Sequence, residues 1–403
     1  MKHVRAFIIS LGTLLLGLGL YSGEKIFFMG FAVIASLIFY ALITNLWVLM
    51  DFRYLQRVTP EQATKGDRAS LIIQIHNDKP FIYPYIKVFY QIPQSALINE
   101  VKEEVLCILP FHYGEIKEEF TCELRGDYTL GIIGVEVGDP FGLFTFYTNL
   151  LNRSYYKPLR LSVAPRVIRL TSLPLPQIQA EGTTRQEFLP TEEPSSLSDI
   201  RQYHYGDPLK KIHWKVSAKL QALYVKNYET NTQPQILMFL ETFPFPSEGI
   251  ARYKVEDQMI ECAVALIHFV LSKWLSLQLI IYHMERQQLS GRNPGDFNRF
   301  FDYLAALPFN SPFRMDEILS MESHGFNKGQ SVVLIVHDMS YQLFNRLCLL
   351  KQSNIHPLVF LIYHSPGLKE DTKRMIDELN RREIPCFPLH TDERIDEVLV
   401  SEL

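Results

Sequence analysis

Charged residues are missing from two long stretches at the start of the chain. The stretches cover Ala6–Gly23 and Ile26–Met50, and only Glu24 and Lys25 separate them. Each is long enough to cross a hydrocarbon core of ~30 Å as a helix, although the first is barely so. The pattern predicts a transmembrane helical hairpin over residues 1–50. The aromatic residues expected at its membrane–water interfaces are Tyr21, Tyr40 and Trp47.

Basic residues near the ends of these stretches predict the orientation of the hairpin. Lys2 and Arg5 precede the first stretch. Arg53 and Arg57 follow the second, whereas the joint carries one lysine balanced by one glutamate. By the positive-inside rule, both termini and the body of the protein lie in the cytosol. A cleaved signal peptide is the alternative, but the second stretch would still leave the body on that side.

Short strands are predicted between residues 51 and 170. Apolar Leu71, Ile73 and Ile75 alternate with polar residues, as on a half-buried strand, and residues 77–80 form a turn. Further strands are expected at Ile86–Tyr90, Val101–Leu109, Glu118–Leu124, Gly134–Val137, Leu143–Tyr147 and Leu159–Ala164. Strands with this spacing predict an antiparallel β-sandwich over residues 51–170.

The next segment, residues 171–234, has no clear periodicity. Its proline-containing stretches, Leu173–Gln177 and Pro190–Ser196, are typical of linkers. Asp199–Tyr228 follows them and is rich in Tyr, Lys and His.

Strands and helices alternate over residues 235–403. The strands are expected at Ile236–Leu240, Leu277–Tyr282, Val332–Val336, Pro357–Ile362 and Ile384–Leu389. The helices are expected at Val255–Lys273, Phe297–Ala306, Tyr341–Gln352, Leu368–Arg381 and Arg394–Leu399. Continuous apolar strands separated by amphipathic helices predict an α/β domain with a mostly parallel sheet covered on both faces.

Composition excludes several classes of protein. Hydrophobic residues make up 47% of the 403 residues, and 40 basic against 44 acidic residues give a net charge of −4. A disordered chain, a collagen-like chain and a strongly basic nucleic-acid binder are therefore excluded. The 5 cysteines are an odd number without a CxxC pair, so neither a disulfide framework nor a structural zinc site is expected.

A turn-rich motif lies in the region of the predicted sandwich. Glycine and Asp-Pro provide the backbone angles that tight turns need. Phe141 and Phe144 are expected to pin this turn to the sandwich. The residues of the motif are Arg125, Gly126, Tyr128, Gly138, Asp139, Pro140, Phe141 and Gly142.

A longer motif lies between the two predicted domains, and the apolar segment Ile236–Phe245 follows it. The conspicuous residues of this longer motif are Arg201, Tyr203, Gly206, Asp207, Ile212, His213, Trp214, Lys215 and Ala218. Together with the turn motif and the hairpin, these segments resemble the bacterial domain-of-unknown-function family 58. The resemblance extends over nearly the whole chain.

The resemblance implies an architecture and partners rather than a reaction. It implies a protein of the bacterial inner membrane whose C-terminal domain is similar to a von Willebrand factor A domain. Proteins of that family are typically encoded beside MoxR-type AAA+ ATPases, often with a transglutaminase-like membrane protein. Their own activity is largely uncharacterised.

A-type domains usually hold a cation where the first strand ends, in an Asp-x-Ser-x-Ser loop aided by a Thr and a later Asp. Here Glu241 and Thr242 begin that loop, and phenylalanines occupy both serine positions. Asp338 matches the later Asp. These residues make a degenerate site, so a divalent cation such as Mg²⁺ and an adapted loop without metal both stay open. Exposed Phe243 and Phe245 are an alternative contact patch.

The longer motif permits three interpretations. Its Lys and Arg residues, interleaved with Tyr and Trp, are typical of a patch for an anionic partner. Alternatively, Trp214 and Ile212 pack between the domains, with Arg201 and Asp207 paired. A third interpretation is a metal-dependent hydrolase that uses a cluster of histidine and carboxylate side chains. The residues of that cluster are His204, Asp207 and His213.

No nucleophile motif, Walker loop or dinucleotide-binding fingerprint occurs in the sequence. We therefore expect a membrane-anchored interaction protein rather than an enzyme. It would present the A-like domain to a MoxR-type AAA+ ATPase in envelope-related assembly. The hydrolase and the anionic-ligand binder are the alternatives.

Overall fold

Two compact units make up the chain. The computed structural model describes residues 2–95, 98–151, 156–175, 197–202, 212–228, 236–247 and 249–402. The first unit is Met1–Arg166 and the second is Val167–Leu403.

The first unit begins with two apolar helices, α1 (Lys2–Ser22) and α2 (Lys25–Met50). Both are long and apolar enough to cross a membrane, as the sequence predicts. The rest of the protein covers only 11% of the α1 span and 6% of the most apolar part of α2. Their outer surfaces are therefore compatible with a membrane anchor.

The last turns of α2 differ from the rest of the helix because one side of them is buried. Ala41, Thr44, Asn45 and Val48 are buried, and their spacing of three or four residues places them on one side of the helix. Val48, together with Phe52 just after the helix, belongs to the hydrophobic core of the β-domain that follows. One end of α2 is thus part of a folded domain.

The β-domain contains two sheets that share this core. The strands are β1 (Arg53–Thr59), β2 (Gln62–Thr64), β3 (Arg68–His76), β4 (Tyr83–Ser95), β5 (Ile98–Ile108), β6 (Tyr113–Thr121), β7 (Gly126–Gly138), β8 (Thr145–Asn149) and β9 (Leu159–Ala164). One sheet has the order β1-β3-β6, and the other β2-β9-β7-β4-β5 with β8 beside β7. All pairs are antiparallel except β2 with β9. A purely antiparallel arrangement was therefore the wrong prediction for this region.

Alternating residues build the core as the sequence predicts. Leu71, Ile73 and Ile75 of β3 are fully buried, and the residues between them are half-buried. The predicted turn around Arg125 joins β6 to β7, and β7 starts directly after it and runs for 13 residues, which is longer than the predicted strand Gly134–Val137. Gly131 permits this because its backbone has a positive φ and a Cβ atom there would collide with the Gln56 side chain.

The second unit starts at Val167, and Ile168, Leu173 and Leu175 are buried in its core, so a linker was the wrong prediction for the start of Leu173–Gln177. A small two-stranded sheet follows. Strands β10 (Leu197–Gln202) and β11 (Tyr224–Tyr228) pair antiparallel, and the short helix α3 (Trp214–Leu220) lies between them in sequence.

A six-stranded sheet forms the centre of the second unit. Its strands are β12 (Ile236–Leu240), β13 (Leu277–Tyr282), β14 (Arg286–Gly291), β15 (Ser331–Val336), β16 (His356–Tyr363) and β17 (Cys386–His390). Their order is β14-β13-β12-β15-β16-β17, and all neighbours are parallel except β13 with β14. The helices are α4 (Ile250–Ser272), α5 (Phe297–Ala305), α6 (Met315–Met321), α7 (Tyr341–Gln352), α8 (Glu370–Arg381) and α9 (Ile395–Glu402).

Every residue of β12 and β15 is buried because both faces of the sheet are covered. Met238 and its even-numbered neighbours share a core with α4, α5 and α9. Phe239 packs in a second core with α6, α7 and α8. The sequence missed β14, whose residues are mostly polar, and the short helix α6.

Leu334 lies at the centre of β15 and is fully buried. We expect Leu334→Ala to lower the free energy of unfolding by about 2–5 kcal/mol, because the lost methyl groups leave a cavity. Leu349→Ala, at an exposed position of α7, is the matched control and should change it by less than about 0.5 kcal/mol. Chemical denaturation followed by circular dichroism measures both, and equal effects would contradict this assignment of the core.

Candidate functional site

Glu241 follows β12 at the edge of the sheet where the parallel strands end. Its side chain is buried. Oε1 accepts a hydrogen bond from the backbone N–H of Met315 at 3.2 Å. Oε2 accepts one from the backbone N–H of His337 at 3.1 Å. The carboxylate therefore joins β12 to the loop before α6 and to the end of β15.

Burial sets the ionisation of this carboxyl. Removal from water raises the pKa of Glu241, and this outweighs the nearby His337 and the two amide hydrogen bonds, which lower it. The imidazole Nε2 of His337 lies 3.7 Å from Oε2 of Glu241 and donates to the carbonyl oxygen of Phe243 at 3.0 Å. Within the described residues, Nδ1 of the same ring is buried and has no hydrogen-bond partner.

The other two candidate metal ligands are also engaged. The Thr242 hydroxyl is buried and donates to the carbonyl oxygen of Tyr282 at 2.6 Å. Asp338 Oδ2 accepts from Arg314 Nη1 at 3.2 Å. The Arg314 guanidinium also lies 4.9 Å from the ring centroid of Phe243. In the part of the chain that the structure describes, no three His, Cys, Asp or Glu side chains are grouped so that they could hold a metal ion.

Phe243 and Phe245 do not form the exposed patch expected from the sequence. Both are half-buried. The Phe245 ring meets His337 edge-on at 5.4 Å between centroids, and Phe243 lies at 6.4 Å. The two rings cover the imidazole, so packing against His337 is the reason that they are withdrawn from solvent.

The longer motif folds locally around α3. Ile212 is buried, and the Nδ1 atom of His213 accepts the backbone N–H of Val216 at 3.4 Å at the start of the helix. The Ser217 hydroxyl is buried and accepts the backbone N–H of Tyr224 at 2.9 Å. His213 and Ser217 therefore hold the helix to β11 through backbone groups.

The remaining residues of α3 face solvent. Trp214 is 66% exposed within the described residues, and its packing between domains stays a prediction. Lys215, Ala218 and Lys219 are exposed beside it. Arg201 is in β10, where only the backbone is described. Tyr203, His204, Gly206 and Asp207 lie outside the described residues.

Asp139 organises the turn after β7. Its side chain accepts the backbone N–H of Phe141 at 2.8 Å and that of Phe144 at 2.5 Å. Gly142, with φ of 67°, donates its N–H to the Asp139 carbonyl oxygen at 3.1 Å. Buried Leu143, rather than exposed Phe141, pins the turn. Pro140 is exposed next to Phe141.

This turn contacts the N-terminal helices. The Asn45 side-chain amide of α2 donates to the carbonyl oxygen of Phe144 at 3.3 Å. The guanidinium of Arg5 in α1 lies 4.9 Å from the Phe144 ring centroid. Sequence reasoning missed Asn45, although an amide inside an apolar span is itself a signal of a buried polar contact.

The remaining residues of the turn motif belong to the first part of β7. Tyr128 is buried, and its hydroxyl donates to the carbonyl oxygen of Leu124 at 2.6 Å. Gly126 has φ of 138°, a conformation that glycine adopts readily. Arg125 precedes it and is partly buried.

Residues 199–294 match the family model described as protein of unknown function DUF58. The uncharacterised protein YeaD of Bacillus subtilis (strain 168) is 19% identical over 262 residues, which are 62% of this chain and 61% of that protein. The similarity thus spans less than two thirds of the relative. Both matches support the DUF58 family, and neither supplies an activity.

Solved structures are similar only at a low level. The CARDB domain of a Pyrococcus furiosus protein, in complex with di-metal ions, is 14% identical with a TM-score of 0.21, over 28% of this chain and 96% of that one. Proximal thread matrix protein 1 from the mussel byssus is 10% identical with a TM-score of 0.31, over 42% and 46% of the two chains. Neither similarity is high enough to carry an argument about this fold.

Glu241→Gln removes the ionisable group at nearly constant size. Burial raises the pKa of the folded carboxyl above its usual 4.5, so the stability it contributes is full below that pH and is lost as the pH rises through the raised pKa. The melting temperature of the wild type minus that of Glu241→Gln should therefore fall as the pH rises above 4.5. Thermal unfolding over a pH series measures it, and the same trend in the exposed control Glu397→Gln would contradict the assignment.

Proposed function

We propose that this protein is a membrane-anchored scaffold of the bacterial inner membrane. The hairpin would lie in the bilayer, with both termini and the folded body in the cytosol. One observation carries the proposal: the outer surfaces of α1 and α2 are uncovered and apolar, while the last turns of α2 belong to the core of the β-domain. A helix shared in this way holds the folded body at the membrane.

We propose a von Willebrand factor A-like domain in the second unit. In order of sequence its strands are arranged 3-2-1-4-5-6, and the third is the antiparallel edge strand. Helices cover both faces, as in doubly wound sheets. Ligands and partners of such sheets bind where the parallel strands end.

The contacts at that edge favour a domain without metal. Both oxygens of Glu241 accept backbone N–H groups, and Asp338 is paired with Arg314. A divalent cation would have to displace these donors, and its site would lack the serine hydroxyls of A-type loops. The scaffold therefore uses this edge for protein contact.

A MoxR-type AAA+ ATPase is the partner that the family resemblance suggests. Met284 and Tyr341, which follow β13 and β15 at this edge, are 74% and 69% exposed. Large exposed apolar side chains at one edge of a sheet are typical of contact surfaces. A transglutaminase-like membrane protein is proposed as a further member of the assembly.

The double variant Met284→Glu, Tyr341→Glu should lose most of the ATPase recovered when the full-length protein is purified from membranes. Charges in a desolvated apolar contact are strongly unfavourable. Trp274→Glu is the matched control because Trp274 is 72% exposed but lies before β13, at the opposite edge of the sheet. Quantitative mass spectrometry of the purified material measures the ratio of ATPase to bait.

Full recovery with the double variant would exclude this edge as the contact surface. Recovery of no AAA+ ATPase by the wild type, from cells that produce both proteins, would overturn the proposed partner. Release of the protein from membranes by alkaline carbonate alone would overturn the anchor.

A second candidate function is the binding of an anionic ligand by α3. Lys215 and Lys219 are one helical turn apart and exposed, and Trp214 is exposed next to them. The hydrolase is less favoured because His213 uses Nδ1 as a helix cap. Its other two proposed residues lie outside the described part of the chain.

Lys215→Glu with Lys219→Glu should weaken the binding of a labelled poly-glutamate peptide at least about fivefold, or roughly 1 kcal/mol. Added salt should also weaken the binding of the peptide to the wild type, since these charges are exposed. Lys369→Glu with Lys373→Glu is the matched control, with the same charge change at the same spacing, because Lys369 is the N-cap residue of α8 and Lys373 lies in its first turn. Equal loss in the two double variants, measured by fluorescence anisotropy, would exclude α3 as the site.

A further inference from the structure

Three loops of the β-domain lie at the end where α2 enters it. They are residues 77–82, 109–112 and 139–144, which we call the base loops. In the first sheet Arg53 pairs with His76, and His76 pairs with Tyr113, so the start of β1 stands beside the first two loops. The pairing of β4 with β5 and β7 brings the third loop to the same end.

Side chains attach the base loops to α2. The Lys79 ammonium forms an ion pair with Asp51 and lies 5.1 Å from the ring centroid of Trp47. The Trp47 ring is 5.7 Å from that of Phe81. Together with the hydrogen bond of Asn45, these contacts hold two of the loops against the last turns of the helix.

Asn77 connects the first loop to the second. It is fully buried, and its side-chain amide donates to the carbonyl oxygens of Phe81 at 2.9 Å and Leu109 at 3.0 Å. Its backbone N–H donates to the carbonyl oxygen of His112 at 2.9 Å. The position of the second loop is therefore fixed by the first.

All three base loops expose large apolar side chains. Phe111 is the extreme case, because it is 71% exposed and its backbone has φ of 60°. That conformation is unfavourable for a bulky residue, and nothing in the described protein packs on the ring to compensate for it. Ile82, Leu109 and Phe141 are also exposed.

The length of α2 places these loops at the membrane surface. The helix has 26 residues, or ~39 Å at 1.5 Å per residue, which is longer than a hydrocarbon core of ~30 Å. About 20 residues from Lys25 reach Thr44, and the buried Asn45 follows directly. Arg5 of α1 reaches the same Phe144 as Asn45, so the charged end of α1 lies at this level too.

We propose that the base loops insert into the lipid leaflet from which α2 emerges. The side chains that enter the bilayer are those of Leu109, Phe111 and Phe141. They reach the boundary between headgroups and acyl chains, where burial of apolar surface stabilises binding. The β-domain then sits on the bilayer as a peripheral domain and is not merely tethered to it. This inference rests on the proposed membrane anchor.

Tryptophan fluorescence in the full-length protein tests the insertion. Variants with one tryptophan each are made by replacing Trp47, Trp214 and Trp274 with Phe, and then introducing Phe111→Trp or Phe141→Trp. They are reconstituted into phosphatidylcholine vesicles with bromines near the glycerol end or near the methyl end of the acyl chains. Both probes should be quenched by bromolipid, several-fold more by the shallow bromines.

Two controls use the same vesicles. Glu123→Trp lies in the exposed turn between β6 and β7 at the far end of the β-domain and should show no quenching. A variant that keeps only the native Trp47 reports on α2 itself and should be quenched.

Each outcome decides one proposal. Quenching of Trp47 without quenching at positions 111 and 141 would overturn the insertion and leave the anchor intact. Absence of quenching at all positions would overturn the anchor. A blue-shifted emission at 111 or 141 that bromolipid does not quench would assign the base loops to a contact with a second copy of this chain and also overturn the proposal. Vesicles with and without anionic lipid distinguish the two causes of binding. Apolar insertion needs no anionic headgroup, so quenching should occur in both, whereas quenching only with anionic lipid would indicate attraction by charge.

Discussion

The burial of one side of α2 in the β-domain is the contact on which the rest of the first unit depends. Val48 and Phe52 supply apolar surface to a core otherwise made of strands, and the Asn45 amide donates to the carbonyl oxygen of Phe144. An amide in an apolar helix is costly unless it has such a partner. The turn organised by Asp139 provides it, which explains why this turn is built so tightly.

A second polar group has an equivalent role in the other unit. Glu241 is buried at the edge of the parallel sheet and ties three segments together through two backbone N–H groups. Asp338, at the same edge of the sheet, accepts a hydrogen bond from Arg314. The polar side chains at this edge therefore make contacts within the protein, while Met284 and Tyr341 are exposed there.

The sequence predicted the elements that depend on strong periodicity. The two apolar helices, the strands β3 and β12, and helix α7 lie where the pattern of apolar residues places them. The turn predicted at Arg125 does lie between β6 and β7, but β7 is longer than predicted because Gly131, with its positive φ, lets the strand continue. Strand β14 could not be predicted, since an edge strand needs few apolar residues.

The candidate sites were less predictable than the fold. Position in sequence correctly identified Glu241, Thr242 and Asp338 as neighbours of the sheet edge, but not that their oxygens accept or donate within the protein. Such partners come from segments 24 to 96 residues away, and only tertiary structure reveals them. The exposure of Trp214 could not be predicted from the sequence either, because a tryptophan in an ordered motif is usually buried.

The shared helix α2 has a consequence for folding. Val48 at the end of α2 belongs to the core of the β-domain, so that domain cannot complete its core until the helix that precedes it has packed against it. Folding of the β-domain is therefore coupled to the placement of α2. A version of the protein that starts near residue 51 would lack Val48 and Asn45 and would open the core at the end where α2 enters it.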